Sequence, residues 1–266
     1  MPHTLYISVA NRYLTMPHLL VAGRYYVQVR TSDPHSIVQI VRPPAGYTPR
    51  QFLDARTHWN AVYNSGGNGG DPLPAYMAFV RSVTFMGGAA VVRGGASAFA
   101  TGLSAGTYWI YEDTYTGPTH LSRIVVLTVV GTAPVQTPFV TVGLARFAPT
   151  GAVTMPGHLP TAGWLMGLGG APLNSLSIVK LLPGVTKADL DGSDVCFQEG
   201  PPNPSVNKDC FQPGGIDLGG SVSAGASVFW YYHLTPGDYV AGNVARPQYF
   251  DTPLFPFGSS VRFTAS

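Results

Sequence analysis

The stretch Thr15-Met16-Pro17-His18-Leu19-Leu20-Val21-Ala22-Gly23-Arg24-Tyr25 returns later in the chain as Thr154-Met155-Pro156-Gly157-His158-Leu159-Pro160-Thr161-Ala162-Gly163-Trp164. A chain that repeats a turn and the strand after it has to build one supersecondary unit twice, which restricts it to tandem architectures. In each copy Thr-Met-Pro leads through a short connection to Ala-Gly and then to an apolar run, Tyr25 to Val29 or Trp164 to Leu168. That pattern reads as a strand, a tight turn and a second strand. Further landmarks recur in the same order. Ile40-Val41-Arg42 corresponds to Ile178-Val179-Lys180, and Gly95-Ala96-Ser97-Ala98-Phe99 to Gly225-Ala226-Ser227-Val228-Phe229. Leu103-Ser104-Ala105-Gly106-Thr107-Tyr108 corresponds to Leu234-Thr235-Pro236-Gly237-Asp238-Tyr239. The second copy is about nine residues shorter between these landmarks, a loss that a loop accommodates at little cost.

Two domains are expected, residues 1–132 and 133–266, each long enough to bury a core. The boundary is placed near Gly131 to Pro138, where small residues and two prolines separate strand-like runs. Charged residues make up only 11% of the chain and the formal charge is +2, too little and too scattered for a phosphate-binding stripe, so nucleic acid is not an expected partner. Gly, Pro or a polar residue interrupts every apolar run before it reaches membrane-span length. Met1-Pro2-His3-Thr4 leads directly into a strand with no signal-peptide pattern, so the chain reads as cytosolic or as a mature form. Two cysteines, 32 glycines, 24 prolines and 14 tyrosines favour the mature form of an extracellular or cell-surface β-protein.

In the first half, strands are predicted over 5–10, 25–30, 36–41, 89–92, 96–101, 107–111 and 124–130. A helix is predicted from Pro49 to Tyr63, with Thr48 as N-cap, Gln51 completing a capping box, and Phe52, Ala55, Trp59 and Val62 on one face. Met77 to Phe85 reads equally as strand or helical turn. The second half repeats the plan over 139–144, 163–168, 176–181, 221–224, 227–232, 238–242 and 261–265, its helix reduced to a Thr186/Asp189 capping signal. Seven or so short strands per copy imply a β-sandwich.

The order Thr15-Met16-Pro17, Ala22-Gly23, strand, His35, buried strand, Pro44-Ala45-Gly46-Tyr47-Thr48, helix, Gly95-Ala96-Ser97, Ala105-Gly106-Thr107-Tyr108, Gly117-Pro118-Thr119-His120 resembles the cupredoxin-like domains of secreted bacterial proteins. The resemblance implies an all-β fold of two tandem Greek-key β-sandwich domains, with one short helix in the first. It also implies, where metal is bound, one copper held by two His, one Cys and usually a Met. His35 and His120 match the two histidine positions of the first half. Tyr111 stands where the cysteine is expected and an aliphatic residue near Val125 where the methionine is. In the second half Leu173 and Gly242 replace the first His and the Cys, and no His occurs from Arg246 to Gly258. Blue copper is therefore not expected, nor is any other cofactor.

His35 and His120 are the low-ranked metal candidates, with Glu112 or Asp113 as an oxygen ligand. The plainer reading makes them inherited positions at the end of a sandwich, since firm transition-metal sites need three or four ligands. His18 and His158 share the repeated turn, and His3, His58 and His233 lack companions. Cys196 and Cys210 flank a Pro-rich segment without His, which argues for a disulfide clamping a surface loop unless both thiols are free. No Ser/His/Asp order, HExxH, P-loop or GxGxxG pattern is present. Glu112-Asp113 is the one adjacent carboxylate pair, and catalysis is not expected from it. The aromatics of Phe229-Trp230-Tyr231-Tyr232 and Tyr249 to Phe257 exceed what alternating strands bury, so some should face a partner.

The expected function is that of a non-enzymatic structural, self-assembling protein, a subunit of a filament, pilus-like fibre or surface layer. Its partner would be other copies of itself, joined through edge strands near Val125–Val130 and Val261–Ala265. The alternatives are a copper-binding or electron-transfer protein using His35 and His120, and a carbohydrate- or surface-binding module.

Overall fold

The computed structural model describes residues 3–64, 72–113, 123–132, 140–186, 189–190, 210–212, 216–217, 220–243 and 261–266. The first half supplies β1 (His3–Ala10), β2 (Tyr13–Thr15), β3 (Leu19–Val21), β4 (Gly23–Thr31), β5 (His35–Arg42), α1 (Pro49–Asn64), α2 (Pro72–Arg81), β6 (Thr84–Val92), β7 (Ala96–Leu103), β8 (Gly106–Glu112) and β9 (Ile124–Val130). The second half supplies β10 (Gly143–Phe147), β11 (Val153–Thr154), β12 (His158–Leu159), β13 (Ala162–Leu168), β14 (Leu176–Lys180), β15 (Ile216–Asp217), β16 (Ser227–His233), β17 (Gly237–Asn243) and β18 (Val261–Ala265). Each strand of the first half has its counterpart in the second, in the same order.

The strands form three sheets: β11-β10-β13-β16-β7-β4-β1-β2, β3-β9-β8-β5-β6 and β12-β18-β17-β14-β15. Each half is thus a sandwich of a four-stranded layer on a five-stranded layer, and the two four-stranded layers are fused into one eight-stranded sheet. The fusion is antiparallel, with Phe229 opposite Ala100 and Trp230 opposite Phe99. β7 and β16 are repeat-equivalent strands, and their antiparallel pairing puts Ala100 and Phe229 on the outward face and Phe99 and Trp230 on the core face. The pairing is isologous, a dimer interface built within one chain.

The repeated Thr-Met-Pro stretch carries the chain between layers. Asn11 and Arg12, at φ 51° and 66°, close the β1–β2 hairpin in the left-handed conformation that two-residue turns need. Their amides donate to the Asp33 carboxylate at 2.8 and 2.7 Å. The chain then crosses to the other sheet, where β3 pairs with β9, and returns through Ala22 to β4. The other recurring landmark is a tyrosine corner. Tyr108 Oη donates to Ser104 O at 3.0 Å and Tyr239 Oη to Thr235 O at 2.7 Å. Over these rings lie the cations of Arg42, 5.7 Å from the centroid of Tyr108, and Lys180, 5.8 Å from that of Tyr239.

Alternation in β1 and β4 turns Leu5, Ile7, Val9, Tyr25, Val27 and Val29 inward, and the principal core runs on through Phe99, Val228 and Trp230 into the second half. β5 and β8 are buried on both faces, because α1 and α2 cover the outer one: Phe52, Tyr76, Phe79 and Val80 pack on Val41, Trp109 and Tyr111. The capping box at Thr48 forms, with the Thr48 amide donating to Gln51 Oε1 at 2.9 Å and the Gln51 amide to Thr48 Oγ1 at 3.3 Å.

Several expectations are corrected. The first half holds two helices, not one: α2 ends at Arg81 and a strand starts at Thr84, which resolves the ambiguous segment. The stretch 221–224 is not a strand but a single bridging residue, Val222, between Met86 and Asn174. β9 and β18 are not edges, since β3 and β12 pair along their outer sides. The edges fall to strands of two or three residues and to β6, an arrangement that limits edge-to-edge joining. The expected boundary borders residues 133–139, and Cys196 and His120 also lie outside the described residues. Among the described residues no helix is long and apolar enough to cross a membrane.

Candidate functional site

At the end of the first sandwich, alternation along β8 sends Tyr108, Ile110 and Glu112 between the sheets and Trp109 and Tyr111 toward the helices. Glu112, paired across the sheet with Val38, is only 1% exposed. Neither of its carboxylate oxygens has a hydrogen-bond partner among the described residues. Burial pushes its pKa up to about 7; the guanidiniums of Arg12 and Arg123 pull it down, and Asp113 and Asp33 push it up. Asp113 lies on the other face, where it accepts from Arg56 Nε at 3.1 Å and from Arg56 Nη2. The adjacent carboxylates therefore do not act on one centre.

His35 opens β5 opposite Val92, and alternation puts it on the face away from Val38 and Glu112, so the expected His35–Glu112 pairing is not formed. An inward-facing ligand at the end of β8 would come from Glu112, not from Tyr111, whose ring packs at 5.0 Å on Phe52. The turn histidines brace strands. His18 Nδ1 lies 3.3 Å from Val126 O, and His158 Nδ1 lies 3.0 Å from Thr264 Oγ1. Among the described residues no three His, Cys, Asp or Glu group together in a way that could hold a metal ion. Cys210 is buried in the second half with Leu181, Val185, Leu190 and Val240. Val240 is the repeat equivalent of Trp109, so this cluster covers the sheet where α1 does in the first half.

The fused sheet presents a different kind of surface. On its outward face Tyr6 stands beside Gln28, Gln28 beside Ala98, and Tyr231 beside Trp164. One step along the β7–β16 register sets Tyr231 next to Ala98, so these five residues form a row across five strands. The neighbouring row is Tyr26, Ala100, Phe229 and Met166. Trp164 packs edge-on against both Tyr26 and Tyr231 at 5.5 Å, and Arg24 lies 5.8 Å from the ring centroid of Phe229. Tyr6 and Tyr231 remain 61% and 46% exposed. An open groove of about 730 Å³ runs along β7 between Tyr26, Gln28 and Arg30 on one side and Tyr231 and His233 on the other, with His35 at one end. None of the eight strands of this sheet contains Asp or Glu.

The sequence pointed to the Phe229–Tyr232 run, but alternation divides it, burying Trp230 and Tyr232 and exposing Tyr231. Tyr6, Tyr26 and Trp164 were not singled out. The signal was their place on the polar phase of an alternating strand.

The strand order of each half, 2-1-4-7 on 3-9-8-5-6 and its repeat, is a Greek-key sandwich. Both halves are cupredoxin-like. No protein-family model and no curated protein matches the chain. Among solved structures, auracyanin from Roseiflexus castenholzii aligns at 18% identity over 48% of this chain and 97% of its own, with a TM-score of 0.29. A copper-containing nitrite reductase from Thermus scotoductus aligns at 11% identity over 99% of this chain and 61% of its own, TM-score 0.25. A blue copper oxidase from Nitrosomonas europaea aligns at 12% over 100% and 86%, TM-score 0.25. The expectation that the chain is not an enzyme is corrected by these alignments, since the proteins aligned along its length include a reductase and an oxidase. The described cupredoxin-like halves do not offer the donor set of blue copper. The slot at the end of β8 holds a carboxylate where a soft thiolate is needed, and Cys210 packs under the other sandwich.

Proposed function

We propose that this chain is a carbohydrate- or surface-binding protein of the cell exterior, and that its ligand surface is the outward face of the eight-stranded sheet. The observation that carries the reading is the aromatic row of Tyr6, Tyr231 and Trp164, set on strands from both halves, with Tyr231 and the neighbouring Tyr26 lining the groove. Aromatic rings carried on a rigid sheet offer apolar surface to sugar C–H groups, with polar neighbours to orient them. Two cupredoxin-like domains, 1–132 and 133–266, would then act as one platform. Affinity electrophoresis of the intact protein through gels containing soluble polysaccharides tests the reading. Retardation that Tyr231→Ala abolishes supports it, and unretarded migration through every gel sinks it.

Self-assembly is the second reading. Leu19, Val21, Val126 and Val130 form an exposed apolar patch on β3 and β9, a surface of the kind that a second copy covers. Light scattering and electron microscopy of native material decide it, and a monomeric particle across micromolar concentrations rejects it.

A further inference from the structure

We propose that the groove over β7 binds an acidic polysaccharide, one whose sugars carry carboxylate or sulfate groups. The inference rests on reading the sheet face as a carbohydrate surface and adds the charge of the ligand.

The trough follows from residue size. The outward positions of β7 are Ala96, Ala98 and Ala100, opposite Arg30, Gln28 and Tyr26 of β4. Methyl groups line the floor, while longer side chains on β4 and β16 raise the walls. Two strand spacings separate those walls, about 9.6 Å between backbones, which suits one extended chain and is too narrow for a duplex. The two walls come from different halves, β4 from the first and β16 from the second, with β7 as the floor between them.

The charge follows from what is missing. The sheet's eight strands carry Arg24, Arg30 and Arg146 and no carboxylate, although the chain has 13 acidic residues. Arg30 is exposed and has no carboxylate partner among the described residues. A guanidinium at the mouth of an aromatic groove forms paired, charge-assisted hydrogen bonds with a planar carboxylate or a sulfate. His35 and His233 at the same end supply further ring nitrogens. A neutral glycan would leave Arg30 without a counter-charge. A nucleic acid needs many more cations than this face holds.

Titration calorimetry with the intact chain separates the possibilities, using polygalacturonate and its fully methyl-esterified form, which share a backbone and differ in charge. Polygalacturonate is expected to bind at least tenfold more tightly. Arg30→Gln should remove about tenfold of that difference while leaving the ester's affinity unchanged, and Tyr231→Ala should weaken both. Arg50→Gln, which deletes the same charge from the exposed surface of α1, should change neither. Equal affinity for acid and ester overturns the acidic assignment and leaves the sheet-face reading standing. Binding that Tyr231→Ala does not touch overturns both. An equal loss in Arg30→Gln and Arg50→Gln would make the attraction diffuse and reject the groove. Single-stranded DNA bound as tightly as polygalacturonate would reject the sugar assignment.

Discussion

Glu112 is the residue whose environment departs furthest from what its sequence neighbourhood suggests. Next to Asp113 it read as half of a carboxylate pair, but adjacent residues of a strand face opposite ways. One carboxylate therefore meets Arg56, and the other enters the sandwich with no hydrogen bond among the described residues. The same alternation explains why Tyr111, read as the ligand position, packs under α1 instead. With its pKa raised to about 7, Glu112 holds a proton in the folded state that the unfolded chain has already lost at a lower pH. At pH 4 it is protonated in both states and adds no pH-dependent cost, and the cost of ionising it where it is buried sets in as pH rises from about 4.5 through 7. Glu112→Gln should match the parent in unfolding free energy from urea titration at pH 4.5 and exceed it at pH 8 by roughly 1–3 kcal/mol. If the gap between the two proteins does not change with pH, the carboxyl is solvated. Cys210 carries a second prediction, since it is buried at the spot that α1 covers in the other half. Joined to Cys196, it would close a loop of about 15 residues and contribute on the order of 3 kcal/mol. Intact mass should then show no alkylation without reduction and two alkylations after it; two thiols free in the native protein would defeat the pairing.

At the scale of elements, the strands with strong alternation or long apolar runs were legible, and so was α1, because its cap, its proline and its apolar face agree with one another. The strands of two and three residues were not, since β2, β3, β11 and β12 are too short to show a period and are held by what lies beside them. Glycines inside strands were the unused signal, for they mark close approach. Gly167 sits in β13 with its missing Cβ directed at the ring of Trp230, close enough that a methyl would overlap it. Trp230 is buried and wedged at 6.4 Å against Phe147, so it has nowhere to retreat. Gly167→Ala should destabilise by about 1–3 kcal/mol. The substitution Gly157→Ala, at a glycine with nothing within 4 Å of its added Cβ, is the control and should stay within about 0.5 kcal/mol of the parent. Equal unfolding midpoints for the two variants would mean that Trp230 moves freely.

For the whole molecule, two domains each with a core of its own were the natural expectation from a tandem repeat. The side-by-side fusion was not legible, because nothing in Gly95 to Phe99 or Gly225 to Phe229 distinguishes a strand that pairs with its own copy from any other. What binds the halves is buried. Gln39 Nε2 donates to Ser221 Oγ at 3.3 Å, and the Ser221 amide donates back to Gln39 Oε1 at 3.1 Å. The amides of Phe85 and Ser223 are bonded across the same seam, at 2.8 and 3.0 Å. Val228 comes so close to Gly87, at φ 126°, that a Cβ there would lie 2.8 Å from its Cγ2. Pulling the halves apart would uncover Phe99, Ala100, Val228 and Trp230 and strand these polar groups, a cost that ordinary domain contacts within a chain do not impose. The halves should therefore unfold together. Differential scanning calorimetry should give one transition whose calorimetric and van't Hoff enthalpies agree, with a ratio near one. Gln39→Ala should lower its midpoint without splitting it, because the apolar part of the seam survives. Two resolved transitions in the parent chain, or a ratio near two, would mean that the seam is marginal and that each half is stable on its own core.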